Sequence, residues 1–384
     1  MKIVVWVESH YAISNWYHEL ESGLLAALNS KRLKADFFIL DDPDLTVDRD
    51  AVIVLAGETF EWYNRMLTFT NANHIFSCVT ACEYPMHSDI TILTDYSQIA
   101  YNFLQYLVDA GKRRIALFGI NPSSPHDYAR LITYRKAIRE LGLHYSEDDV
   151  FFTTGNISQC VSAFVERIHD YDAVLGANDL YAFFAMIGAQ QKGLRIPEDL
   201  YVIGSGNTMI SKLAKPPITS STINLYSVGY HTISAIQIIA NNASMIELNI
   251  KNEVQYFARE STACRPFSEK YKHHANMPTN IRSGDSKESA ITSFDDELFM
   301  NIVNFELLFS QIDSVDYEII KCIVENDYKK RSHIADDCFL SDTALDYRLR
   351  KLYKRFDVSS YSEFYNVLKT MCRYIDISRI QPKE

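Results

Sequence analysis

The chain has 384 residues, a net charge of -11, and a composition that is 47% hydrophobic and 23% charged. That length predicts two or three domains, each large enough for a real core. The acidic balance excludes a protein coated in nucleic-acid-binding surface, although one local binding face stays compatible with it. Seven Cys are scattered, and Cys78 and Cys82 form the only close pair, with no His at a ligand spacing. They read as buried thiols in a reducing compartment, with no metal and no cofactor. After Lys2 the apolar run Ile3 to Val7 stops at Glu8, short of the ~7–15 residues of a secretion-signal core. No run approaches the ~20 residues that cross a membrane. A cytoplasmic protein is expected.

The N-terminal KIVVWV is already a core strand, so no folded module is expected before it. Asn15 to Asn29 follows as a helix, with Leu20, Leu24, Leu25 and Leu28 on one face. Asp36 to Leu40, Ala51 to Ala56, His74 to Val79 and Ile90 to Leu93 are further short apolar runs. Helices are predicted over Ser97 to Ala110, Tyr128 to Leu141 and Ser158 to His169, separated by strands at Arg114 to Phe118 and Val150 to Thr154. Ala173 to Asn207 then reads as one strand–helix–strand unit. AVLGAN stops at Asn178-Asp179, Ala182, Ala185, Met186 and Ala189 keep helical spacing, and Leu200 to Ile203 ends in Gly204-Ser205-Gly206-Asn207. Strands joined by a crossover helix lie parallel, and ligands bind at their carboxyl ends. Asn178-Asp179 and Gly206-Asn207 both sit at such ends. Thr219 to Ile223 is extended, Val228 to Ala240 helical, and Gln255 to Glu260 a last strand. Strands alternating with helices over residues 1–267 predict a doubly wound α/β architecture in two lobes.

From Ser268 to Ser293 the apolar period dissolves, which marks residues 268–294 as a linker and His273-His274 as a solvated pair. Beyond it the chain is purely helical. Residues 295–312 form a connecting or dimerising helix, and 313–384 an all-α domain. Leu345, Leu349, Leu352 and Phe356 make one buried stripe. Ser341 can cap that helix, and Ser360-x-x-Glu363 is a capping box opening the next.

GKRRIALFG (111–119), YARLITYRKAIRELGL (128–143), GANDLYAFFAMIGAQQKGLRIPEDLYVIGSG (176–206), PPITS (216–220) and RES (259–261) occur in sequence order. With these blocks, residues 1–265 resemble the LacI/GalR-type effector-binding core, the two-lobed type I fold of periplasmic binding proteins. RSHIADDCFLSDTALDYRLRKLYKRFDVSSYSEF (331–364) resembles the LuxR-type helix-turn-helix through Ile334-Ala335, Ser341, Tyr353, Phe356, Val358 and Ser359. The LacI family carries a reader before its core, so the C-terminal helices read as its replacement. Phe339 stands where the LuxR turn has glycine, which predicts a turn of different shape, because a Phe resists positive φ. Asp342 and Asp346 stand where neutral or basic groups are usual.

The first resemblance implies effector contacts at Arg130 and Asn178, and Gly206 replaces the family's Asp, with Asn207 next. A guanidinium grips a carboxylate or vicinal hydroxyls, and an amide both donates and accepts. Asp179 joins Asn178 as a ligand candidate, and Asp95 ends a strand near the cleft. Trp16 and Phe60, beside Tyr17 and Trp62, can stack on a ring or pack in the core. A surface ion pair for Arg130 and a helix cap for Asn178-Asp179 are the plainer alternatives. At the C-terminal end Thr343, Ala344, Tyr347 and Arg348 are candidates for the major groove, with Arg350, Lys351 and Lys354 for phosphates and Ser341 among the DNA-binding candidates. No G-x-S-x-G, Walker loop or H-E-x-x-H is present, so no enzyme is expected. The expected function is a dimeric regulator in which a sugar-like or other polar metabolite modulates binding to double-stranded DNA, with no membrane partner. The alternative is a ligand sensor whose degenerate C-terminal bundle docks a protein partner.

Overall fold

The computed structural model describes residues 2–83, 87–153, 157–242, 244–268, 301–302, 304–306, 308–309, 312–327 and 333–380. The predicted linker beyond Ser268, with His273-His274, lies outside the described residues, as do residues 295–300 of the connecting segment.

The strands are β1 (Lys2–Val7), β2 (Ala35–Ile39), β3 (Ala51–Ala56), β4 (Phe76–Cys82), β5 (Ile90–Leu93), β6 (Ile115–Ile120), β7 (Val150–Phe152), β8 (Ala173–Gly176), β9 (Tyr201–Ile203), β10 (Ser220–Ile223), β11 (Leu248–Lys251) and β12 (Val254–Phe257). Between them run the helices α1 (Ser9–Ala12), α2 (Asn15–Lys31), α3 (Phe60–Ala72), α4 (Tyr96–Asp109), α5 (Pro125–Glu140), α6 (Ile157–Glu166), α7 (Asp179–Gln191), α8 (Met209–Leu213) and α9 (Leu225–Ala240).

The first lobe is a parallel sheet in the order β11-β5-β4-β3-β1-β2. The second is a parallel sheet β7-β6-β8-β9, continued toward the antiparallel pair β10-β12 by a bridge from Ile203 to Thr219. β3 is buried along its whole length, as a central parallel strand covered on both faces must be. The chain passes between lobes after β5, at Asn224, and between β11 and β12. These passages are tied together, since Asp95 accepts an ion pair from Lys251 at 2.5 Å and Asn252 pairs with His231 Nδ1 at 2.8 Å.

α2 and α9 cover the first sheet at unusually close range. A Cβ on Gly229 would lie 2.1 Å from the Leu20 carbonyl oxygen, and one on Gly23 would lie 1.9 Å from that of Tyr226. Glycine ordinarily weakens a helix relative to alanine, but backbone blocks the added methyl at both positions. Gly229→Ala is therefore expected to destabilise the first lobe by ~1–3 kcal/mol, measured by denaturant unfolding.

The sequence missed β11 and the short helix α8. β11 is an edge strand with alternate residues exposed, too short and too polar to register as a core run.

The C-terminal part is helical as expected. The described residues between 301 and 309 are in helical turns, followed by helices Ser314–Glu325, Ile334–Asp337, Asp342–Arg355 and Tyr361–Met371. Leu345, Leu349, Leu352 and Phe356 are buried, matching the predicted stripe. These helices share one continuous core with the second lobe, in which Phe183, Met186, Ile210 and Leu213 join Phe305, Phe309, Leu352 and Phe364. Backbone seals the seam: Lys215 N–H donates to the Tyr374 carbonyl at 2.8 Å and Asp376 N–H to that of Leu213 at 2.6 Å.

Candidate functional site

The carboxyl ends of both parallel sheets face one cleft. Carboxylates on either side fix the loops that line it. Glu8, just past β1, accepts from the backbone N–H of Glu58 at 2.5 Å and of Thr59 at 3.0 Å, and from Thr59 Oγ1. Glu83, past β4, accepts from Tyr96 N–H, Ser97 N–H and Ser97 Oγ. Burial raises the Glu83 carboxyl to about 7, against the opposing bonds from Ser97. Asp127, from α5, accepts from Asn121 N–H at 3.0 Å and from Arg130 Nη1 at 2.5 Å.

Arg130 is 7% exposed, and its guanidinium lies 4.2 Å from the centre of the Tyr96 ring. It is thus a cleft residue whose ion pair with Asp127 is buried, not the surface pair of the plainer reading. Tyr96 in turn meets the His126 ring at 4.7 Å. Burial, then the Arg130 charge, pushes the imidazole down to about 3, so it is neutral, and its buried Nδ1 has no hydrogen-bond partner among the described residues. The lobes touch where Phe60 meets Tyr128 at 5.8 Å and Phe60 N–H reaches the Ser123 carbonyl at 3.4 Å. Trp16, 36% exposed, lines with Tyr96, Ser205, Gly206 and Thr222 a recess of 20 Å³, room for about one water. The structure thus brings Arg130, Trp16 and Phe60 to the cleft.

Other sequence candidates are placed differently. Asp179 is fully buried beneath the second lobe's strand ends, where it accepts from Ser220 Oγ at 2.6 Å and Thr208 N–H at 2.7 Å. From there it holds the floor of the cleft with its side chain fully enclosed, the helix-end role of the plainer reading. Asn178 caps α7 through Tyr181 N–H at 3.1 Å. Asn207 turns its side-chain oxygen to Arg259, in a left-handed backbone conformation with φ 50°. Asp95 caps α4 and pairs with Lys251 at a lobe crossing. The sequence reading missed Tyr11, Glu58, Tyr96, His126 and Asp127. The signal for Glu58 was its place two residues beyond a fully buried strand.

On helix Asp342–Arg355, Ser341 caps Ala344 N–H at 3.2 Å. Arg348 is not free to enter a groove. Its Nη1 is bound to Asp313 at 2.9 Å and Asp316 at 2.7 Å, and Lys351 reaches Asp316 at 3.4 Å. Spacing could not reveal this, because both acids lie on another helix end. Ala344 is part-buried, whereas Thr343, Tyr347, Arg350 and Lys354 are exposed. They fall at i, i+4, i+7 and i+11, opposite the buried stripe. Phe339 does adopt the left-handed conformation, with φ 54°, at a cost of ~1–2 kcal/mol. Its ring is 96% exposed, so the turn keeps the shape a glycine would give it.

Two α/β lobes with strand ends facing a common cleft define a periplasmic-binding-protein-like fold. Residues 104–262 match the family described as periplasmic binding protein-like domain. Among curated proteins, the chain is similar to the NTD biosynthesis operon regulator NtdR of Bacillus subtilis, 30% identical over 55% of this chain and 64% of that one. Catabolite control protein A of Priestia megaterium is 30% identical over 36% of this chain and 43% of its own. The chain therefore spans less than two-thirds of either relative. Among solved structures, a regulatory protein of the LacI family from Chloroflexus aggregans superposes with TM-score 0.57 at 15% identity, covering 67% of this chain and 98% of that one. The transcriptional regulator CelR in complex with cellobiose superposes with TM-score 0.57 at 18% identity, covering 68% of this chain and 84% of the other. The two lobes thus share the two-lobed α/β periplasmic-binding-protein-like fold of these solved structures. Among the described residues no helix is long and apolar enough to cross a membrane.

Proposed function

We propose that the chain is a cytoplasmic, ligand-responsive transcription regulator. A small polar metabolite binds between the lobes, and its differential affinity for their arrangements changes DNA binding by the C-terminal helices. The observation that carries this reading is the meeting of Arg130, Tyr96, Phe60 and Trp16 from both lobes at the strand ends. Residues 1–267 form the sensor, 268–294 a linker, 295–312 a connecting segment and 313–384 a LuxR-like helix-turn-helix domain. Arg130 contacts the effector, as Asn178 can through its amide N–H groups. Homodimerisation follows from the paired half-sites such readers use.

Thr343, Tyr347, Arg350 and Lys354 form the DNA face in this reading, with Ser341 at its leading end. A gel-shift or footprint on the upstream region of the chain's own operon, with and without co-purifying small molecules identified by mass spectrometry, tests it. Arg350→Ala with Lys354→Ala is expected to weaken DNA binding and to flatten the log–log salt slope by about 1.8, at ~0.9 for each phosphate that is no longer neutralised. An unchanged slope would refute this face. The second reading, a protein-docking bundle, is favoured by the exposed Phe339 and Tyr347 rings and by the internal pairing of Arg348 and Lys351. A bundle that binds no DNA at low salt would support it.

A further inference from the structure

We propose that Cys322 and Cys338 form a reversible disulfide under peroxide, stapling helix Ser314–Glu325 to the turn that leads into helix Asp342–Arg355. The proposal concerns the C-terminal helices themselves and does not depend on whether DNA or a protein is their partner.

The two cysteines lie on different elements, and the packing of those elements sets their sulfurs side by side. Cys338 Sγ lies 3.8 Å from the Glu318 carbonyl oxygen, one helical turn before Cys322 on the same face. Cys322 Sγ reaches Asp337 Oδ2 at 3.9 Å, on the residue next to Cys338. Each thiol thus points to the immediate surroundings of the other, and the two thiols also hydrogen-bond to each other. Both are part-buried, within reach of a small oxidant. Cys78 and Cys82, by contrast, are fully enclosed in the first lobe.

The place of Cys338 gives the bond its consequence. Its N–H donates to the Ile334 carbonyl at 2.9 Å and so closes the short helix Ile334–Asp337. Phe339 follows in its left-handed conformation, and Ser341 caps the next helix. Helix Ser314–Glu325 also carries Asp316, which holds Arg348 and Lys351. A bond from Cys322 to Cys338 therefore ties the leading end of helix Asp342–Arg355 to the helix that already grips its middle. It also closes a loop in the unfolded chain, which stabilises the folded bundle.

In the resting chain both cysteines are free, as a reducing compartment keeps them. Burial, then the charge of the Cys322 thiolate, pushes the Cys338 thiol up, so Cys338 keeps its proton and Cys322 attacks first. The Cys322 sulfur bonds to one oxygen of hydrogen peroxide, the O–O bond breaks, and a sulfenic acid forms as water leaves. The Cys338 sulfur then displaces that oxygen. The S–S bond forms, and the thiol proton leaves with the oxygen as a second water. The two thiols are oxidised by two electrons and the peroxide is reduced to two waters. A dithiol reductant restores both thiols by exchange.

The test treats the full chain with a few equivalents of hydrogen peroxide, blocks the remaining thiols and digests it without reductant. Trypsin cuts after Lys321, Lys329, Arg331 and Arg348, so Cys322 and Cys338 fall in separate peptides. These should be recovered joined, with two fewer free thiols than the seven of the untreated chain, and dithiothreitol should part them. The oxidised chain should melt ~3–8 °C above the reduced one. Neither the link nor the shift should appear in Cys322→Ser or Cys338→Ser, whereas Cys264→Ser, which removes an exposed thiol, should keep both. Oxidation only to sulfinic or sulfonic acids, links to other cysteines or links between chains would overturn the proposal. So would a joined pair that leaves the melting temperature unchanged.

Discussion

Asp179→Ala should be the most damaging single change in the second lobe, costing about 3 kcal/mol. The carboxyl is fully buried, which raises its pKa above the usual range, and the bonds from Ser220 Oγ and Thr208 N–H and then the Arg259 charge act against that shift. Alanine leaves the buried Ser220 hydroxyl and the part-buried Thr208 N–H short of an acceptor, each worth ~1–3 kcal/mol. Packing makes no allowance for this, because Gly204 already presses on Asp179: a Cβ there would lie 2.3 Å from Asp179 Oδ1. Asp179→Asn, which keeps one acceptor, should lose less. Urea unfolding of both variants measures the difference, and equal losses would show that the hydrogen bonds do not dominate.

Glu306→Ala should separate effector binding from its consequence. Glu306 comes from the connecting segment and accepts the backbone N–H groups of Met209 at 2.8 Å and Ile210 at 2.5 Å. Those residues open α8, one residue beyond Thr208, whose N–H is held by Asp179 beneath Ser205 to Asn207. The cleft floor and the C-terminal helices therefore meet at this carboxylate, in addition to the shared core and the backbone bonds of the seam. Its removal leaves two N–H groups unsatisfied, ~1–3 kcal/mol, at the joint and not in the cleft. Effector affinity by calorimetry should stay within ~3-fold, while the effector's influence on DNA binding falls away.

The same residue predicts a pH dependence. Burial raises the Glu306 carboxyl from 4.5 to about 7, with the two N–H bonds opposing. A folded value above the unfolded one means stabilisation that is complete below about pH 4.5 and is lost as pH rises through about 7. The loss is on the order of 2 kcal/mol once the side chain's residual exposure is allowed for. Glu306→Gln, neutral throughout, should reduce the fall in stability between pH 5 and 8, leaving the part that the raised Glu83 carboxyl contributes. A wild-type slope retained in that variant would assign the dependence to another group.

Most of the architecture was legible in the order of residues. Continuous apolar runs such as Ala51 to Ala56 mean strands buried on both faces, and Leu345, Leu349, Leu352 and Phe356 could only be one helix face. What failed was short or edge-exposed, as β11 and α8 were, because little apolar surface is buried there to leave a pattern. Arg130 was named as a candidate through its resemblance to a known contact, and the structure sets it beside Tyr96 at the cleft. Tyr96 was not, since its importance lies in what the opposite lobe brings to it.

The linear order of residues therefore determined the two α/β lobes, the helical C-terminal part and its buried stripe, because periodicity is a property of one segment at a time. Tertiary structure decided which charges remain available. Arg348 was drawn into Asp313 and Asp316, Asp179 into the floor under Ser220, and Asn207 toward Arg259. Each partner lies far away in sequence or on another element. Electrostatic pairing depends on distance in space, which no spacing along the chain encodes.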